Sequence, residues 1–167
     1  MQKRGAAVFQ VLLAGVFLSH GASAQCNGLI GSWKVNWSQS HVSDPPPKNL
    51  IRTYESVGSA IRVSETRIDE NGRRTDVEYV ARYDGKEYPV FTSTGNSRVL
   101  LPTADTVALV ERGRCSVEGI GRENGIVIYR FRRFVSPTGN RLTVKIEGIL
   151  PGGEQAWSRL VYERLHI

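Results

Sequence analysis

The chain is poor in the residues that build metal centres and disulfide frameworks. Its 167 residues include only two cysteines, three histidines and one methionine. So few cysteines exclude a small fold held by several disulfides, and so few histidines leave little material for a metal centre. With 40% hydrophobic and 23% charged residues, the composition also excludes collagen and intrinsic disorder as the main state. We expect one domain with its own hydrophobic core.

Sequence motifs of catalysis are absent as well. The chain has no HExxH, no GxSxG, no Walker loop and no dinucleotide fingerprint. His41 and His166 are too far apart in sequence to have the spacing of metal ligands. We expect His41 to lie in a solvated loop and His166 in the terminal segment. The sequence therefore predicts no catalytic residue, no metal site and no cofactor. An enzyme would need a pocket with a perturbed titratable group, such as Tyr79 or a buried carboxylate.

Long apolar runs are missing except at the N-terminus. Lys3 and Arg4 precede a small and apolar run over residues 5–18, and Ala22-Ser23-Ala24 follows as a small-residue cleavage pattern. This layout is typical of a secretory signal peptide cleaved after Ala24, because the run is too short to span a bilayer comfortably. An uncleaved membrane anchor and a lipid-modified Cys26 are the alternatives.

Cleavage would leave one mature domain, residues 25–167, with no transmembrane segment. The leader, residues 1–24, carries two of the 22 basic residues and none of the 16 acidic ones, so the mature charge is 20 − 16 = +4. The mature protein is expected in the periplasm or outside the cell. In such an oxidising compartment Cys26 and Cys115 are expected to pair, although two unpaired thiols remain possible. The sequence does not indicate an oligomeric state.

Nearly all of the mature chain alternates between apolar and polar residues with a period of two. Such alternation predicts strands with one buried and one solvated face. Asn-Gly and Asp-Gly turns separate the runs, and both favour hairpins because their central residues adopt positive φ. The predicted strands lie near 29–37, 50–57, 60–68, 74–83, 87–91, 105–111, 114–121, 126–135, 141–149 and 155–165.

Consecutive hairpins of this kind can form a closed barrel or a two-sheet sandwich. The absence of long crossovers favours an all-β, antiparallel up-and-down barrel of 8–10 strands, which leaves no free edges. No convincing amphipathic helix of ten residues appears. The longest stretch without a strand pattern is 38–49, where three consecutive prolines oppose regular structure.

Alternation also predicts which side chains line the barrel interior. The candidates are Trp33, Tyr79, Tyr83, Leu109, Tyr129, Phe131, Arg133 and Ile146. They could surround a small ligand or simply fill the core. Arg133 shares the apolar face of its strand and could anchor a carboxylate or phosphate, but a bulge at Arg132-Arg133 would return it to solvent. We weigh the bulge as the stronger of these two readings.

Gly31-Ser32-Trp33 lies on the first mature strand, where lipocalins and related calycins carry a Gly-x-Trp motif. The chain resembles that superfamily, and specifically small secreted bacterial proteins with a lipocalin-like barrel. The resemblance implies that Arg164 on the last strand packs across the Trp33 ring and, with Gly31, closes one end of the barrel. It rests on Trp33–Asn36, Tyr54-Glu55, Tyr83–Pro89, Val135–Pro137 and Tyr162–Arg164.

Two binding functions from different classes follow from this sequence. The first is a non-catalytic carrier that holds a small apolar or amphipathic molecule inside the barrel. The second is an envelope interaction module that uses a basic outer face and holds no internal ligand. Arginines do crowd the later strands, but glutamates are interleaved with them, so nucleic acid is not an expected partner.

Overall fold

The structure is a computed structural model, and it describes residue 26 and residues 28–43, 46–94, 104–149 and 152–166. The predicted signal peptide lies outside the described residues. Eleven strands are present in the described part of the chain. They are β1 (Gly31–Val35), β2 (His41–Val42), β3 (Asn49–Val57), β4 (Ala60–Ile68), β5 (Arg74–Ala81), β6 (Asp84–Thr94), β7 (Thr106–Gly113), β8 (Ser116–Glu123), β9 (Ile126–Val135), β10 (Arg141–Ile149) and β11 (Gln155–Arg164).

Ten of these strands form a closed antiparallel barrel. Each strand from β3 to β11 pairs with the next one along the chain, and β1 pairs with both β3 and β11. The pairing of the first strand with the last removes the two free edges that an open sheet would expose. The predicted all-β, up-and-down barrel is confirmed.

Each of the ten predicted strand segments overlaps one of the ten barrel strands. The expectation that residues 38–49 lack regular structure was wrong in part. A short 3-10 helix, Trp37–Gln39, leads into β2, and β2 pairs with Arg159 and Ser158 of β11. This strand forms before the prolines begin, so they do not oppose it.

Two ends of the barrel can be told apart by the turns that they carry. At one end the chain segment 28–30 precedes β1, and the turn after β7 brings Cys115 close to it; we call this the closed end. At the opposite end lie the turns between β4 and β5 and between β8 and β9; we call this the turn end. The two ends hold different groups of buried polar side chains.

Arg133 faces the barrel interior on β9, so the prediction that a bulge returns it to solvent was wrong. Its cross-strand partners, Val144 on β10 and Val117 on β8, are both buried. No register shift occurs near Arg133, and its side chain is 1% exposed. Alternation therefore continues without the bulge that would have returned this arginine to solvent.

Among the described residues, no helix has the length and apolar character needed to cross a membrane.

Candidate functional site

The barrel interior contains a cavity of about 60 Å³ towards the turn end. Its walls combine aliphatic and aromatic side chains with three charged ones. They are Arg52, Val63, Glu65, Arg67, Val77, Tyr79, Val90, Ala104, Tyr129, Phe131, Val144 and Ile146. A single water needs about 10–15 Å³, so the space holds a few waters or a group of similar size. The interior is therefore neither empty like a large carrier barrel nor completely filled.

The charged wall of this cavity is built by two neighbouring strands. Arg52 on β3 lies directly opposite Glu65 on β4, and Arg67 follows two residues later on the same face. The Arg52 Nε donates a 2.6 Å hydrogen bond to a Glu65 carboxylate oxygen, and its Nη2 bonds to the same oxygen. Arg67 donates to the other oxygen through Nε. The single carboxylate of Glu65 therefore accepts hydrogen bonds from two guanidinium groups.

These three side chains, which we call the charged cluster, are almost wholly withdrawn from water. Their exposed fractions are 14% for Arg52, 5% for Glu65 and 16% for Arg67. The Arg67 Nη1 atom is buried without a hydrogen-bond partner. With two cations and one anion, the cluster carries a surplus positive charge beside an apolar wall.

The pKa values reflect this mutual stabilisation. Burial alone would raise the pKa of Glu65, but attraction to Arg52 and Arg67, with hydrogen bonds from both, lowers it to about 2. Burial disfavours the charged form of Arg52, but the carboxylate of Glu65 raises its pKa well above the ordinary value. Glu65 and Arg52 are therefore both ionised at neutral pH.

Our sequence analysis missed the charged cluster, although the alternation contained the signal. On β3, Arg52 falls between Leu50 and Tyr54, and both of these are buried. On β4, Glu65 continues the inward series of Ile61 and Val63. Opposite charges at inward positions of two consecutive strands predict a buried ion pair, since a hairpin places such positions opposite each other.

Glycines on the inner face of β8 leave room for two aromatic rings. Gly119 lies opposite Phe131 and Gly121 lies opposite Tyr129 in the β8–β9 register. Each ring occupies the space that a Cβ atom on the facing glycine would take. Because the rings lie flat against the strand, they project less into the cavity than they would over a larger residue.

Gly119→Ala should therefore reduce the volume of the cavity. The added methyl group would overlap the Phe131 ring and push it towards the barrel centre, with a stability cost of about 1–3 kcal/mol. Xenon uptake, measured by ¹²⁹Xe NMR, should fall in this variant. Gly28→Ala, where an added Cβ would make only ordinary van der Waals contacts of 3.6 Å or more, is the matched control. Equal uptake in Gly119→Ala and the native protein would contradict this account of the cavity.

The closed end is organised around Trp33 and Arg164, which are partners in the β1–β11 register. The guanidinium carbon of Arg164 lies 4.4 Å from the Trp33 ring centroid, a cation–π distance. The buried Trp33 Nε1 donates a 2.8 Å hydrogen bond to the Leu29 carbonyl. Arg164 donates to the carbonyls of Gly28 and Ile30, so the segment before β1 is bound across the barrel end.

Gly31 makes that crossing possible. Its φ of 128° is one that other residues rarely adopt, and a Cβ there would lie 2.7 Å from Arg164 Nη1. The ten-stranded up-and-down barrel thus carries a stacked tryptophan–arginine pair at its closed end. This arrangement of a closed up-and-down barrel with a stacked tryptophan–arginine pair is the one that the resemblance to lipocalin-like barrels implied.

Comparison with known proteins gives little beyond architecture. No protein-family model and no curated protein matches the chain. One similar solved structure is the zebrafish ileal bile acid-binding protein in complex with cholic acid. It is 11% identical, covers 83% of this chain and 99% of its own, and has a TM-score of 0.47.

A disulfide joins Cys26 to Cys115, as the sequence predicted. It links the segment before β1 to the turn between β7 and β8, with a Cα–Cα distance of 4.9 Å. Cys115 adopts a positive φ of 61° in that turn. The disulfide and Arg164 thus hold the same segment of the barrel from two sides.

The eight predicted lining residues fall into three groups. The large cavity is lined by Tyr79, Tyr129, Phe131 and Ile146. A second cavity, of about 10 Å³ near the closed end, is bordered by Tyr83 and Arg133. The fully buried Trp33 and Leu109 border neither cavity. Their role as ligand-binding residues stays a prediction.

The outer face of the barrel carries basic residues of the later strands, which the sequence pattern indicated. Arg112 and Arg132 both form ion pairs with Glu118, so part of this charge is neutralised locally. The described residues contain no group of three or more His, Cys, Asp or Glu side chains that could hold a metal ion. An interaction function for this face stays a prediction.

Proposed function

We propose that this protein is a non-catalytic carrier that binds one small amphipathic anion inside the barrel. The acid group would lie against the charged cluster, and a short apolar part would pack on Phe131, Val144 and Ile146. The observation that carries the proposal is the surplus positive charge of Arg52, Glu65 and Arg67 at the wall of an otherwise apolar cavity.

The chemistry of the cluster favours an anion over a neutral or cationic ligand. Arg67 Nη1 is a buried donor without a partner, and an acid group in the cavity could accept its hydrogen bond. A charge-assisted hydrogen bond of this kind contributes about 1.5–3 kcal/mol. A cationic ligand would instead meet two guanidinium groups at close range in a medium of low polarity.

The size of the cavity restricts the ligand further. A cavity of about 150 Å³ accommodates benzene, whereas this one measures about 60 Å³. We therefore propose a short monocarboxylate or a molecule of similar size. A few methylene groups of the ligand could pack against the apolar wall formed by β9 and β10, and each contributes about 0.8 kcal/mol when buried.

Calorimetric titration with straight-chain carboxylates from acetate to hexanoate would test the proposal. The affinity should rise with the first added methylenes and then fall once the chain exceeds the cavity. Primary amines of the same lengths should not bind. Equal binding of amines and carboxylates would contradict the assignment of an anion, and no binding of any carboxylate would contradict the carrier function.

Variants of Arg67 locate the binding site. Arg67→Gln removes the surplus charge but leaves the Arg52–Glu65 pair, so the affinity for carboxylates should fall roughly tenfold to 100-fold. Arg67→Lys keeps the charge and should retain most of the affinity. Arg62→Gln, at an outward-facing and partly exposed position of the same strand, is the matched control. Loss of affinity in Arg62→Gln alone would place the site on the outer face.

A further inference from the structure

Three exposed cations lie side by side on the outer face of the last three strands. Arg132 on β9 lies opposite Lys145 on β10, and Lys145 lies opposite Arg159 on β11. We call these three residues the basic row. Neighbouring strands are about 4.8 Å apart, and like charges directly opposite each other lower the stability of a sheet. The basic row therefore costs stability within the fold, and a negatively charged partner outside the fold would offset that cost.

The protein neutralises this face only in part. Arg132 has an ion-pair partner in Glu118. Within the described residues, neither Lys145 nor Arg159 forms an ion pair. Glu147 is the next outward residue of β10, and its cross-strand partner on β9 is a fourth cation. Four cations against two carboxylates leave a surplus of positive charge on the outer face of these strands.

Three large apolar side chains are exposed where the same strands reach the turn end. Ile126 begins β9, Ile149 ends β10 and Trp157 lies near the start of β11. Their exposed fractions are 69%, 49% and 55%, and we call them the apolar tip. Because a strand rises about 3.3 Å per residue, Trp157 lies about 7 Å nearer the turn end than Arg159. The face thus presents apolar side chains at its end and cations behind them.

We propose that this face docks on a lipid surface with anionic headgroups. The apolar tip enters the boundary between headgroups and acyl chains, where tryptophan is favoured, and the basic row contacts the lipid phosphates. The exposed carboxylates of Glu123 and Glu154 flank the tip, so it enters no deeper than the headgroup region. Docking places the turn end, towards which the large cavity lies, at the lipid surface.

The layered arrangement of the face favours lipid over two other occupants. A soluble polyanion would neutralise the basic row but would leave the apolar tip in water. A second copy of this chain, in the common two-fold arrangement, would pair the face with itself and bring one basic row against the other. A lipid surface has a negative layer above an apolar one, which is the order that the basic row and the apolar tip match.

Sedimentation with vesicles tests the charge of the docking face. The native protein should bind phosphatidylcholine vesicles that contain about 30% phosphatidylglycerol, and should bind pure phosphatidylcholine vesicles at least about tenfold more weakly. Lys145→Glu should weaken the binding roughly 30-fold, because it changes the charge of the basic row by two. The same variant should not lower the midpoint of thermal unfolding, since it relieves repulsion between neighbouring cations.

Lys86→Glu is the matched control, because it makes the same charge change at an exposed position near the closed end. Equal weakening of vesicle binding by Lys145→Glu and Lys86→Glu would overturn the proposal. Neither substitution alters a residue that lines the large cavity, so carboxylate binding should be unchanged in both variants. The docking proposal and the carrier proposal can therefore fail separately.

Lipids brominated on their acyl chains test the apolar tip, because bromine quenches indole fluorescence at short range. Anionic vesicles of brominated lipid should quench part of the tryptophan fluorescence of the native protein. Trp157→Phe should bind the vesicles and lose this quenching, since Trp33 is fully buried in the barrel. Vesicle binding without quenching in the native protein would overturn the proposal. Binding of dextran sulfate but not of anionic vesicles, or a dimer that buries Trp157, would overturn it as well.

Discussion

Removal of the Cys26–Cys115 disulfide should lower the free energy of unfolding by about 4–5 kcal/mol. The two cysteines are 89 positions apart, so the cross-link removes a large part of the conformational entropy of the unfolded chain. It also holds the segment from which Gly28 and Ile30 offer their carbonyls to Arg164. Both effects act in the same direction.

Urea unfolding of the double variant Cys26→Ala/Cys115→Ala, compared with the oxidised native protein, measures this contribution. The double variant avoids the free thiol that either single variant would leave. The native protein in a reducing buffer is the control, and it should match the double variant. A loss below about 1 kcal/mol would contradict the entropic account and show that Trp33 and Arg164 hold the closed end alone.

Glu65→Gln should destabilise the protein by about 3 kcal/mol at neutral pH. The substitution leaves Arg52 and Arg67 buried without a negative partner, and breaking a buried ion pair in this way is far more costly than losing an exposed one. Glu78→Gln is the matched control, because Glu78 is 54% exposed and its ion pair with Arg62 spans 3.5 Å. Its effect should lie below about 1 kcal/mol.

The pH dependence of stability gives this prediction a distinct signature. The folded-state pKa of Glu65, about 2, lies below its ordinary value of 4.5. Its contribution is therefore fully present above about pH 4.5 and is lost as the pH falls towards 2. Urea unfolding between pH 7 and pH 2.5 should show a shallower acid slope for Glu65→Gln than for Glu78→Gln. Identical slopes would contradict the pairing of Glu65 with the two arginines.

Much of the architecture could be predicted because local sequence determines it. A period of two and short turns containing Asn-Gly or Asp-Gly predict consecutive hairpins, and hairpins leave few ways to arrange ten strands. The disulfide followed from the number of cysteines and the predicted compartment. These features need no knowledge of which distant side chains meet.

The charged cluster and the second cavity could not be predicted in the same way. The sequence analysis named neither Arg52 nor Glu65 among the inward-facing residues, and both are buried because each neutralises the other. The position of Arg133 depended on the absence of a bulge, which pairing with two neighbouring strands decides. The cavity volume depends further on ring positions over Gly119 and Gly121, which are a property of packing.

The pairing of β1 with β11 also has a consequence for the order of folding. Ile30 and Arg164, which bond at the closed end, are 134 positions apart in sequence. The hairpins from β3 to β11 can form from near neighbours, but β1 has only half of its partners until the last strand is available. Loop closure over such a separation is slow, so we expect barrel closure to be the last and rate-limiting event. Until then two strand edges stay exposed, and the folding chain is most vulnerable to aggregation during that interval.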